Sequence, residues 1–150
     1  MRVRDLMQRD VVTLAASDTL DLADDIMRLG RIRHLPVTSA GEVVGILSQR
    51  DLFRAAISSL LQLDRSAEQA FLAKVPVRAM MTPAPVTVGP EESVRAAVRL
   101  MLERKIGCLP VVEDGRLVGL VSETDCLGHL EHLLAIAEAK GLLPELGTAS

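Results

Sequence analysis

The chain has 150 residues, 49% of them apolar, so a buried core is within reach and one compact domain, or two fused halves, is expected. Acidic residues number 20 against 17 basic ones, and the basic residues are scattered through both halves, which excludes a positive stripe that could track a phosphate backbone. Trp and Tyr are missing and Phe53 and Phe71 are the only Phe, Trp or Tyr residues, which argues against base-stacking platforms and aromatic cages, and a bound base would rest between aliphatic side chains.

The opening run MRVRDLMQRD alternates charge with apolar residues and has no uninterrupted apolar core of a secretory signal. No later stretch approaches the roughly 18 apolar residues of a membrane span. A cytoplasmic protein without nucleic-acid or membrane partners is expected. Cys108 and Cys126 form no CxxC pair and are read as reduced core thiols.

An internal repeat organises the rest. Residues 3–53 lie over residues 77–127 without a gap, at a fixed offset of 74: Val3 on Val77, Met7 on Met81, Leu35-Pro36-Val37 on Leu109-Pro110-Val111, Gly41 on Gly115, Asp51 on Asp125. Each copy opens with a β-branched run, Val11-Val12-Thr13-Leu14 and Val86-Thr87-Val88, which predicts a strand. A helix follows, started by Ser17 with Asp18 in one copy and Pro90-Glu91-Glu92 in the other. Its apolar face is Leu20, Ala23, Ile26 and Met27, then Val94, Ala97, Leu100 and Met101. Two apolar strands come next, joined by Ala40-Gly41 and by Asp114-Gly115, where positive φ angles favour a hairpin.

Closing helices begin after Ser48 and Ser122. The first is expected to run with a break through Ile57, Leu60, Leu61 and Phe71 to Pro76; the second carries Leu127, Leu130, Leu134 and Ala137 on one stripe and ends near Gly141 and Pro144. The expected division is residues 1–74 for the first repeat with its connecting helix, 75–140 for the second, and 141–150 for a frayed tail.

Chemistry concentrates in one repeated pattern. Gly45-Ile46-Leu47-Ser48-Gln49-Arg50-Asp51 and Gly119-Leu120-Val121-Ser122-Glu123-Thr124-Asp125 both read Gly, apolar, any, Ser, any, any, Asp. At a strand end turning into a helix, the Ser hydroxyl and the free helix N–H groups point where an anion can sit, the Asp can accept from two sugar hydroxyls, and Gly permits close approach to a ligand. The same spacing also makes a capping-box helix start, and duplication alone does not decide between the two.

With these motifs the chain resembles the CBS domain family, named for cystathionine beta-synthase, from about Val3 to Leu127. The likeness includes the β-α-β-β-α order, the Leu-Pro-Val strand starts and Met80-Met81-Thr82. The resemblance implies an α+β fold with α/β-type layers: tandem repeats packed with pseudo-two-fold symmetry as a stand-alone Bateman module with two clefts. It implies a regulatory role, with AMP, ADP, ATP or S-adenosylmethionine as ligand, no required cofactor, no enzymatic activity, and an unidentified effector protein; Glu123 in the second motif makes AMP the best guess. By the same resemblance, Asp51 and Asp125 meet ribose hydroxyls, Ser48 and Ser122 lie near phosphate, and Arg50 and Thr124 are their neighbours. The base would rest on Val11, Val12 and Thr13 in the cleft of Asp125, and on Pro85, Val86 and Thr87 in that of Asp51.

The clefts are not expected to be equal. Arg33-His34 precede one Leu-Pro-Val strand and Gly107-Cys108 the other, and Arg grips phosphate in a way that Gly and Cys do not. Arg33 and His34 are expected to serve the cleft of Asp125, which ranks it first, while Glu123 argues against a dense phosphate load. His129, Glu131 and His132 share a helix but lack a third metal ligand, so a solvated face is the preferred reading. Neither a phosphate-binding glycine loop nor a nucleophile with a His and acid partner is present, which leaves catalysis unsupported. The apolar closing helices predict a homodimer. The competing class is a ligand-independent structural or interaction module.

Overall fold

The computed structural model describes residues 1–58 and 64–142. The first half contains α1 (Val3–Leu6), β1 (Leu14–Ala15), α2 (Leu20–Gly30), β2 (His34–Ser39), β3 (Glu42–Ser48), α3 (Gln49–Ser58) and α4 (Arg65–Leu72). A 3-10 turn (Val77–Ala79) leads into β4 (Thr82–Pro83), α5 (Val94–Arg104), β5 (Cys108–Glu113), β6 (Arg116–Ser122) and α6 (Glu123–Ala139). This is the expected α+β repeat, and the apolar face of α2 is buried at Leu20, Ala23 and Met27 as that of α5 is at Ala97 and Met101.

The hairpins follow from their turn residues. Ala40 (φ 51°) with Gly41 (φ 82°) and Asp114 (φ 50°) with Gly115 (φ 75°) hold positive φ in both loop positions, the geometry that matches strand twist across a two-residue loop. β2 then pairs antiparallel with β3 and β5 with β6, each ladder carrying one irregularity, at Val37/Thr38 and at Val111/Val112.

Two local expectations are corrected. The opening strands are far shorter than the β-branched runs suggest: β1 is Leu14–Ala15, parallel to Val37–Thr38, and its counterpart is a single bridge between Val88 and Val111. Val11 to Thr13 and Val86-Thr87 stay outside the ladders despite their β propensity. The helix starts also shift by one or more residues. Thr19 and Ser93 are the N-caps, while Asp18 and Glu92 accept from the N–H groups of Ala15 (2.8 Å) and Gly89 (2.8 Å) and tie down the preceding turn.

Packing does not follow the repeat boundary. Val3 and Met7, from the start of the first repeat, lie in the core of the second with Val88, Leu109, Val111 and Val121. Reciprocally, Val77, Met80 and Met81 join the first core with Leu14, Leu35, Val37 and Leu47. β4 pairs with Gly45-Ile46 of β3, and Gln8 bridges Leu120 of β6, so each opening segment edges the other repeat's sheet. The two halves therefore exchange their opening segments in space. β3 and β6 meet between the two halves.

Leu60 and Leu61 of the first closing segment, Pro144, and most of the expected tail lie outside the described residues. The second closing helix ends at Ala139, and Gly141 takes a positive φ (64°) beyond it.

Candidate functional site

Each Ser–Asp pair closes the turn from strand to helix. The Ser48 N–H (2.7 Å) and hydroxyl (2.9 Å) donate to Oδ2 of Asp51, and the Asp51 N–H returns a bond to the Ser48 oxygen (3.2 Å). Ser122 and Asp125 repeat this at 2.8, 2.7 and 3.2 Å. Both motifs are thus capping boxes, and each carboxylate spends only Oδ2 on its own helix start. Oδ1 decides what else the Asp can do. In Asp125 it accepts from the Gln8 side-chain amide (3.0 Å). In Asp51 it has no hydrogen-bond partner among the described residues.

The motif glycines have a different task from the expected one. A Cβ on Gly45 would collide with the Met81 sulfur, and one on Gly119 would lie 2.6 Å from the Met7 sulfur and 2.9 Å from the Gln8 carbonyl oxygen. They admit the exchanged opening segment against the strand rather than a ligand.

A cavity of about 850 Å³ opens between the halves. Ser48, Gln49, Arg50 and Asp51 form one wall; Thr82, Ala84, Pro85 and Val86 of the second repeat's opening segment form another. Arg33 and His34 line it from the start of β2. The second repeat supplies Lys105, Ile106, Gly107, Cys108, Glu123, Cys126 and Leu127, with Val98, Met101 and Leu102 of α5. Pro85 and Val86 are half-buried and present the aliphatic surface that a chain without Trp or Tyr would use for a base.

This corrects the expected partnership of Arg33 and His34 with Asp125. They stand in the cavity of Asp51, because β2 and β3 form one hairpin in which His34 is the direct partner of Ser48. The residues before each Leu-Pro-Val strand are bound by that register to their own repeat's motif, as Cys108 is to Ser122. His34 also faces across the divide: a Cβ on Gly107 would be 3.4 Å from its Cε1 and 3.1 Å from a Glu123 carboxylate oxygen. Gly107 thus makes room for both. Burial holds the His34 pKa below its ordinary 6.5; Glu123 and Asp51 oppose that shift, Arg33 and Arg50 reinforce it.

Thr87 and Thr124 do not line this cavity; both are exposed. On the opposite side Val12 and Thr13 are exposed and Val11 half-buried, and the opening-segment residue brought to Asp125 is Gln8 instead. Lys105 and Gln8 were not anticipated. Gln8 occupies the position equivalent to Thr82, a pair already inside the 74-residue register, where the change from Thr to a longer amide was the available signal. Cys108 is buried and its thiol is pushed up to about 12, chiefly by burial and then by Asp125; Cys126 is raised for the same reasons, with Glu123 adding to them.

α6 has no buried residue: Leu127, Leu130, Leu133, Leu134 and Ile136 are exposed, as is Phe53 of α3. Among the described residues no cluster of three or more His, Cys, Asp or Glu is gathered around a common point, and no helix is long and apolar enough to cross a membrane.

Two halves with matching hairpins, reciprocal opening segments and paired strand-to-helix motifs around a shared cavity define a duplicated α+β module. The CBS-domain family profile matches residues 3–58 and 77–132, and the chain belongs to that family. It is 35% identical over 143 residues to inosine-5'-monophosphate dehydrogenase of Korarchaeum cryptofilum, covering 95% of this chain but only 27% of that enzyme, in which the matching region is one part. It is 33% identical over 134 residues to a CBS domain-containing protein of Dictyostelium discoideum, covering 88% of this chain and 92% of that protein. Among solved structures, CBSX2 in complex with AMP superposes with a TM-score of 0.74 at 25% identity, over 88% of this chain and 97% of that one.

Proposed function

We propose that this chain is a regulatory CBS-pair module that binds an adenosine-containing ligand in the cavity of Asp51 and passes the signal to an effector protein, without catalysing a reaction. One observation carries the proposal: the cavity joins the open Oδ1 of Asp51, the aliphatic Pro85 and Val86, and three cations, Arg33, Arg50 and Lys105. Its volume, about 850 Å³, falls in the range of small-molecule sites. The base rests on Pro85 and Val86, the ribose hydroxyls donate to Asp51, and the phosphate lies by Ser48 and the cations. Glu123 on the same wall disfavours a long phosphate chain, so AMP ranks ahead of ADP and ATP, with S-adenosylmethionine as a further member of the class. The AMP complex of CBSX2 supports an adenosine-containing ligand by likeness.

Ligand entry between the halves biases their packing when one arrangement binds better than the other. The exposed apolar face of α6 supports a homodimer as the unit that carries the change. Titration calorimetry with AMP, ADP, ATP, S-adenosylmethionine and NAD tests the reading; if none of them binds, it fails. A ligand-independent interaction module is the second reading, favoured by the capping boxes, which account for Ser48, Asp51, Ser122 and Asp125 without a ligand. Absence of binding by every member of that panel, in a chain that keeps its fold, would support it.

A further inference from the structure

The two motifs are alike in sequence and in capping geometry, yet they differ in what reaches the second carboxylate oxygen. In the first half, position 82 of the opening segment is Thr, bridged to Ile46 at the cavity edge, and Oδ1 of Asp51 is left to the cavity. In the second half, the equivalent position is Gln8, bridged to Leu120 through backbone bonds of 2.8 and 2.9 Å, and its side chain reaches the extra distance to donate to Oδ1 of Asp125 at 3.0 Å. Gln is longer than Thr and carries an amide N–H₂, so it can do to this carboxylate what a sugar hydroxyl would do. Both carboxylate oxygens of Asp125 thus have a partner in their own chain: Oδ2 accepts from Ser122 and Oδ1 from Gln8.

The neighbours change in the same sense. At the 74-residue offset, Arg33 is replaced by Gly107, Arg50 by Thr124, and Ala84 by Asp10. The second half therefore lacks two cations of the first cleft and gains an acidic residue at the position of a neutral one. A phosphate there would meet less attraction and an added like charge. The strand-to-helix turn is the same in both halves, and in the second it is the chain's own Gln8 that meets the Asp.

We infer that Gln8 is an internal stand-in for the ligand's sugar, sealing the second cleft so that each chain binds one nucleotide monophosphate, at Asp51. The inference rests on the proposed function and deepens it by fixing stoichiometry and naming the residue that sets it. Displacing an exposed amide from a carboxylate sacrifices one charge-assisted hydrogen bond, on the order of a tenfold loss of affinity, and the missing cations add to it.

The test copies the opening segment of the first cleft into the second. Gln8→Thr with Asp10→Ala reproduces Thr82 and Ala84, and both side chains are exposed, so folding is expected to persist; Gln8→Ala is the simpler companion, and far-UV circular dichroism checks both. Titration calorimetry with AMP should find one site per chain in the wild type and a second, weaker site in the double variant. Adding Asp125→Ala to the double variant should remove that second site alone. Two equivalent sites in the wild type, or a double variant that stays at one, would overturn the inference while leaving the nucleotide reading intact. No AMP binding by any of these proteins would instead overturn the nucleotide reading and the inference with it.

Discussion

Replacing Gly119 by Ala probes the exchange of opening segments directly. The new Cβ would stand 2.6 Å from the Met7 sulfur, 3.0 Å from Met7 Cγ and 2.9 Å from the Gln8 carbonyl oxygen. Met7 is 9% exposed within the second core, and the Gln8 oxygen accepts from the Leu120 N–H at 2.9 Å, so neither neighbour retreats freely. The backbone at Gly119 has no positive φ, so the cost is steric. Overpacking of this kind costs about 1–3 kcal/mol. At about 2–4 °C per kcal/mol for a chain of this size, the melting temperature should fall by about 2–12 °C. Thermal unfolding followed by far-UV circular dichroism measures it. Met7→Ala removes two of the three clashes, so in a double-mutant cycle the pair should be less destabilised than the two single variants added together. A Gly119→Ala protein that melts within about one degree of wild type, or additive effects in the cycle, would refute the exchange as the reason for this glycine.

Three further outcomes are expected. Because the folded-state pKa of His34 lies below its ordinary 6.5, the unfolded chain binds its proton more readily, and His34 should cost stability as pH falls through 6.5 toward its folded value and cost nothing above. Melting temperatures of wild type and His34→Gln between about pH 5.5 and 7.5 check this: the wild type should lose more on acidification, and parallel curves would contradict it. Cys108, buried with a thiol at about 12, should resist iodoacetamide at about pH 8 in the native state and react on unfolding, whereas Cys126 should react first; peptide mass spectrometry reads both, and equal native rates would contradict the assignment. If α6 covers its apolar face with a second copy, light scattering should give the mass of two chains, and Leu130→Glu with Leu134→Glu should halve it; a wild-type monomer would remove the dimer from the account.

Much of this architecture was written in the sequence because duplication repeats the same physical instruction. Leu20, Ala23 and Met27 bury one face of α2 as Ala97 and Met101 bury that of α5, and Ala40-Gly41 and Asp114-Gly115 turn both hairpins. A register of 74 residues, however, is blind to which copy a segment packs against, so the move of Met7 into the second core and Met81 against the first was invisible to it. The position of Arg33 and His34 was closer to hand. Counting back from the Ala40-Gly41 turn sets His34 opposite Leu47, and the single irregularity at Val37/Thr38 shifts it to Ser48. Either count keeps it beside its own motif. The surroundings of the two Asp residues differ, and in the opposite sense to the expected one: the cations gather at Asp51, while Asp125 is engaged by Gln8.

The central claim, an adenosine ligand read by Asp51, is tested most directly by AMP calorimetry on Asp51→Ala beside Asp125→Ala. Each variant loses the same capping box, worth about 0.5–2 kcal/mol of stability, and Asp125→Ala also loses its bond from Gln8, so Asp125→Ala is the more severe control for folding. Loss of a carboxylate that accepts the ribose should cost at least about 1.5 kcal/mol, roughly a tenfold weakening. The account predicts that weakening in Asp51→Ala and affinity near wild type in Asp125→Ala; equal affinity in Asp51→Ala and wild type would contradict it.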